Sequence, residues 1–106
     1  MARNKRMVKF IIGFHKPNDE ARFENTYNDF LALAERMPDL KRRQVCHVFG
    51  SPMGEARFYR LLELYFEDNA AMDAALRSPA GQEAGAELLK LGRDRFDLAF
   101  AEVYEE

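Results

Sequence analysis

The sequence holds one cysteine, two histidines and no tryptophan in 106 residues. A lone Cys46 excludes an intrachain disulfide and any zinc-type cysteine pair, and it suits the reducing cytoplasm, the compartment expected here. Long hydrophobic runs are also missing. The first apolar stretch, residues 8–14 (VKFIIGF), is interrupted by Lys9 and ended by His15 and Lys16. It is too short for an export signal or a bilayer span, so no membrane partner is expected. Neither sign of charge dominates: sixteen Lys and Arg face eighteen Asp and Glu, a net charge of −2. That balance argues against nucleic acid as a partner. With no repeat, low-complexity segment or internal linker, the chain reads as one domain over residues 7–106 behind a flexible leader, residues 1–6.

Four segments carry strand character. Residues 8–14 are rich in β-formers and stop at Lys16-Pro17-Asn18. Residues 40–49 begin with the charged Lys41-Arg42-Arg43 and continue as Val45 to Phe49. Residues 58–67 (FYRLLELYFE) form the strongest strand, and residues 96–104 (FDLAFAEVY) the last. Between the first two, Phe23, Tyr27, Phe30, Leu31, Ala34 and Met37 recur at helical spacing, with Asp19 and Glu20 at the start and Pro38 at the end. A second helix starts at Asp68 or Asn69 and runs to Arg77. Ser78-Pro79 restarts it as cap and first helical residue, and Gly92 stops it. Gly50 to Gly54 lacks the lysine and helix start of a phosphate cradle and is read as a turn.

The order β-α-β-β-α-β predicts an α+β, ferredoxin-like fold: a four-stranded antiparallel sheet in strand order 4-1-3-2, with both helices on one face. In the third strand Phe58, Arg60, Leu62, Leu64 and Phe66 are assigned to one face, and Tyr59, Leu61, Glu63 and Tyr65 to the other. Both sets are largely apolar. The fourth strand repeats this, with Leu98 and Phe100 opposite Ala99, Ala101 and Val103. No third helix is left to cover the open face, so a second copy of the chain is expected there, as a homodimer.

Among residues that carry chemistry, Glu63 lies mid-strand between Leu61 and Tyr65. Its carboxylate must be paired, by an arginine or tyrosine, or else protonate and serve as acid or base. His47 is the second acid–base candidate. It and His15 lie on non-adjacent strands, so one subunit does not bring both to a metal. Arg60 either meets an anionic ligand group or reaches solvent at the sheet edge. Cys46 is read as a small core residue. Phe30 is read as core or pocket wall, and Tyr27 and Tyr65 as core or pocket rim. No spacing calls for a metal or cofactor, and none is expected.

Four phrases in order, LAERMPDLKR (33–42), YRLLELYF (59–66), AALRSPAGQ (74–82) and the closing FAEVYE, resemble the EthD family. The resemblance runs over about residues 7–105. It implies a dimeric α+β barrel with a pocket between helices and sheet; Phe14, Tyr27, Phe30, Arg60 and Tyr65 are assigned to that pocket, and Glu63, His47 or a tyrosine remain the acid–base candidates read from the residues. It also implies a link to degradation of ethers or aromatic compounds. The family pattern places a histidine in the first helix, and that position is Phe30 here; the Pro-Leu pair that follows it falls on Ala32-Leu33. The expected activity is therefore binding of a small apolar or aromatic molecule. The protein is either an oxygenase-, isomerase- or cyclase-like enzyme without a cofactor, or a non-catalytic binding or accessory protein of the same fold.

Overall fold

A computed structural model describes residues 5–105. Strand β1 (Lys5–His15) leads into helix α1 (Glu20–Ala34), then strands β2 (Arg42–His47) and β3 (Phe58–Phe66). Helices α2 (Asn69–Arg77) and α3 (Pro79–Leu89) follow, then a single 3₁₀ turn (Arg93–Arg95) and strand β4 (Phe96–Tyr104). Lys5 and Arg6, assigned to the leader by sequence, open β1; the rest of that leader lies outside the described residues.

Capping chemistry sets the helix starts. The Asp19 carboxylate accepts the Arg22 N–H at 3.1 Å, and Asp68 accepts the Ala71 N–H at 2.8 Å. The second helix is two helices because Ser78 leaves the helical path at ψ 161°, giving three α-helices among the described residues. Its hydroxyl oxygen accepts the Gly81 N–H at 3.1 Å, while its O–H donates to the Ala75 carbonyl at 2.6 Å. Pro79 fits the first turn of α3 because that position needs no N–H donor.

The strands form one antiparallel sheet in the order β2-β3-β1-β4, with all three helices on one face. Phe14, Phe66, Ile12, Leu62, Leu64 and Val8 are the largest fully buried side chains. All come from the two central strands, and each contributes roughly 1.5–3 kcal/mol of burial. From the helices Phe23, Tyr27, Phe30, Met72, Ala84 and Leu88 complete the core.

Strict alternation fails at the start of β3. His15 pairs with Phe58 while Phe14 pairs with Arg60, so Tyr59 is an extra residue. Phe58 therefore turns to the open face, where its ring lies over Gly13; a Cβ built there would stand 2.5 Å from the Phe58 Cε1 atom. Tyr59 instead joins Arg60 on the helix side, edge-on to Phe23 with centroids 5.6 Å apart. The face assignment for Phe58 and Tyr59 is corrected accordingly. Cys46, read as core, is exposed, because β2 is an edge strand whose open face nothing covers.

Candidate functional site

An apolar cleft of about 500 Å³ opens between α3 and β4, floored by Phe10 and Phe96 and backed by Phe30 and Met37. Its outer wall is Leu76, Leu88, Leu89 and Leu98; Gln82 contributes its one polar side chain. The sequence builds this space from small residues: Gly81, Ala84, Gly85 and Ala86 line the α3 side. A Cβ added to Gly85 would meet no atom within 4 Å. Leu98 remains 51% exposed because β4 is an edge strand and α3 does not reach over it. The cleft can thus desolvate an apolar ligand, but its lining offers no proton-transferring side chain.

Phe14, Tyr27, Phe30 and Arg60 do gather on the helix side, and only Phe30 among them lines the cleft. Arg60 neither reaches solvent nor waits for a free anion. It is 6% exposed, and its two terminal nitrogens donate to the two Glu24 carboxylate oxygens at 2.9 Å each. The guanidinium carbon lies 4.6 Å from the Tyr27 centroid, 5.3 Å from Phe23 and 5.4 Å from Tyr59. This cage explains how a charge is tolerated inside: one fork of hydrogen bonds and three π faces replace water. The Arg60 Nε atom is buried without a partner. Hydrogen bonding to Arg60 holds the Glu24 carboxyl below its ordinary pKa, and the same pair holds Arg60 above its own.

Glu63 and Tyr65 are on the opposite face, away from that group. Glu63 is ion-paired, but its partner is Lys9, with Nζ at 2.5 Å from Oε1, rather than an arginine or tyrosine. The hydrogen bond to Glu63 raises the Lys9 pKa. Tyr65 donates its hydroxyl to Gln44 at 2.9 Å, and Arg42 lies 5.1 Å over its ring. His47 is exposed on edge strand β2, paired in register with Arg60 and so on the helix side, the face opposite to that of Glu63. The candidate residues therefore separate into a helix-side set and an open-face set.

Sequence reasoning overlooked Glu24, Lys9 and Asp97. Asp97 accepts from Arg57 at 3.1 and 3.0 Å and lies 3.1 Å from His15 Nε2. These contacts hold its carboxyl below the usual range, His15 contributing most. Charged residues at surface positions carry no sequence signal of their partners, since the partners are tens of residues away. Among the described residues no group of His, Cys, Asp and Glu is arranged to hold a metal ion, and no helix is long and apolar enough to cross a membrane.

The fold and its one-sided helices define the chain as a ferredoxin-like α+β protein. It is similar to a dimeric ferredoxin-like protein of unknown function from Jannaschia (22% identity, TM-score 0.71, 92% of this chain and 99% of that one). It also shares the fold of hydroxynitrile lyase from Passiflora edulis (16%, TM-score 0.77, 97% and 98%). No family model matches the sequence. Among curated proteins, it is 27% identical over 97 residues to an uncharacterised 11.0 kDa protein from the thcB–thcC intergenic region of Rhodococcus erythropolis, covering 91% of this chain and 94% of that one. An ethyl tert-butyl ether D (EthD) family protein from Bacillus halodurans is 32% identical, with a TM-score of 0.86 and coverage of 92% and 98%. The chain belongs to the EthD family.

Proposed function

We propose that this protein is a homodimer that binds a small, largely apolar or aromatic molecule in the cleft between α3 and β4. The cleft itself carries the reading: about 500 Å³ lined by aromatic and aliphatic side chains with Gln82 as its polar handle. Such a lining selects for shape and hydrophobicity, which suits a fragment of an ether or aromatic compound in catabolism or secondary metabolism. Dimerisation is supported by the open sheet face, where Ile11, Phe58, Leu61 and Ala101 are only half-buried, and by the dimeric neighbour of like fold. Lys9 and Glu63 on that face are already paired, so covering them costs less than covering two lone charges.

Chemistry in this cleft would rest on holding and orienting the ligand, in the manner of an oxygenase, isomerase or cyclase without a cofactor. The lack of an acid or base in the lining favours the second reading, a non-catalytic binding or accessory protein. A reducing cytoplasm suits either one, because the single cysteine, Cys46, is an exposed free thiol.

A thermal-shift screen with aromatic, ether and lactone compounds tests the proposal. A specific binder should raise the midpoint in the native protein and fail to do so in Gly85→Leu, which fills the cleft. A shift that survives Gly85→Leu places the ligand elsewhere and refutes the cleft. Turnover by the native protein but not by Gly85→Leu would establish the enzyme reading.

A further inference from the structure

Phe49 and Met53 are 104% and 93% exposed, the extreme for large apolar side chains among the described residues. Both stand on the arm joining β2 to β3. That arm is preorganised: Ser51 and Gly54 exchange backbone hydrogen bonds at 2.9 and 3.0 Å, and the Met53 N–H donates to Ser51 Oγ at 3.1 Å. Gly54 closes the turn at φ +104°, a conformation that L residues rarely adopt. A chain that holds Met53 in water within an ordered turn, with Phe49 two residues before that turn, has lowered the entropic cost of binding something with them.

The same chain offers the complementary surface. On the helix side of β4, Leu98 is 51% and Phe100 66% exposed, at the rims of the cleft and of a second cavity of about 450 Å³. Register links the two features. His47, Arg60, Phe14 and Phe96 form one row across the sheet, so the arm leaves β2 at the level where β4 begins. When two such sheets pair through their open faces about a two-fold axis along the strands, β2 of one copy lies beside β4 of the other, and that level is kept. Facing sheets stand ~10 Å apart. At full extension residues 48–51 carry the closed turn ~13 Å beyond the end of β2. The arm is long enough to pass round the partner's β4 edge.

We infer that the β2–β3 arm of each copy closes the α3–β4 cleft of the other, laying Phe49 and Met53 against Leu98 and Phe100 of the second chain, so that each ligand chamber is built from both copies. The inference rests on the homodimer reading and adds that the site is incomplete in one chain.

Because the protein has no tryptophan, Met53→Trp provides a single reporter. Sedimentation velocity and acrylamide quenching of that indole are measured on the same samples. The expected result is a dimer in which the indole emits at short wavelength and is quenched at least ~3-fold less than a free indole, as a side chain leaving water requires. Adding Leu98→Asp should return the emission to that of exposed indole while far-ultraviolet circular dichroism and the dimer persist. Met53→Asp should weaken binding of the apolar probe N-phenyl-1-naphthylamine about fivefold, the loss of one wall contact worth somewhat over a factor of RT. A dimer whose indole is fully exposed, or whose probe affinity ignores Met53→Asp, overturns the arm and leaves the dimer standing. A monomer at every concentration overturns both.

Discussion

Truncating Glu24 should harm the protein more than removing the far better buried Arg60. The Glu24 carboxylate is 39% exposed, whereas the Arg60 side chain is 7% exposed within its ring of Phe23, Tyr27 and Tyr59. Glu24→Ala leaves a guanidinium buried with no counter-charge, a situation that costs about 3–5 kcal/mol. Water reaching through the exposed Glu24 position argues for the low end, ~3 kcal/mol. Arg60→Met removes the charge itself. It forgoes three cation–π contacts, ~2 kcal/mol together, but also ends the burial of an ion and of the orphaned Nε, a return of ~1 kcal/mol or more. The net loss is about 1 kcal/mol, and the double variant should lose about the same, since nothing is then left unpaired. For a chain of this size a loss of 1 kcal/mol lowers Tm by ~5 °C. Glu24→Ala should thus fall by ~15 °C and Arg60→Met by ~5 °C, at one fixed protein concentration because dimerisation shifts Tm. The pair also has a pH signature. The folded pKa of Glu24 is depressed by Arg60, so its stabilisation is present above the unfolded value and is lost as pH falls through the folded one. Acid unfolding scans should show this loss in the native protein below the ordinary carboxyl value of 4.5, and Glu24→Gln should lack it. An Arg60→Met variant that melts at or below Glu24→Ala would refute the account of a charge retained inside by its partner.

Two glycines four residues apart in α3 should respond with opposite signs. A Cβ at Gly81 would stand 2.3 Å from the Ala75 carbonyl oxygen and 2.5 Å from that of Leu76, both backbone, so Gly81→Ala should cost ~2–3 kcal/mol in urea unfolding. Gly85→Ala projects into open space and should gain ~0.5–1 kcal/mol through helix propensity; a loss there would mean the cleft wall is closed. At alkaline pH the Lys9–Glu63 pair should matter. The folded pKa of Lys9 is raised, so its contribution is complete below the unfolded value of 10.5 and disappears as pH climbs through the folded one. Stability of the native protein should therefore drop more steeply above pH 10.5 than that of Glu63→Gln, and identical slopes would discount the pair.

The local grammar of the chain sufficed for the elements and their order. Asp19, Asp68 and Ser78-Pro79 mark helix starts by chemistry acting within three residues, and FDLAFAEVY is bounded by the same residues in the structure as in the pattern. Period-two alternation placed Leu62, Leu64, Leu98 and Phe100 on the correct faces, because each side chain's direction follows from its neighbour's. Alternation failed where pairing with another strand intervened: the extra residue at Tyr59 exists only because Phe14 pairs with Arg60 while His15 pairs with Phe58. Ion-pair partners were beyond reach for the same reason. Lys9 and Glu63 are 54 residues apart, and Arg60 and Glu24 are 36 apart. The sequence alone thus determined the kind and order of the elements and that both sheet faces carry large apolar side chains. Only the tertiary structure decided that Arg60 is caged rather than free, that Glu63 and Tyr65 stand apart from Phe30, and that the cleft opens beside β4. Those outcomes depend on which distant residues the folded sheet brings to one place, and sequence spacing does not encode that.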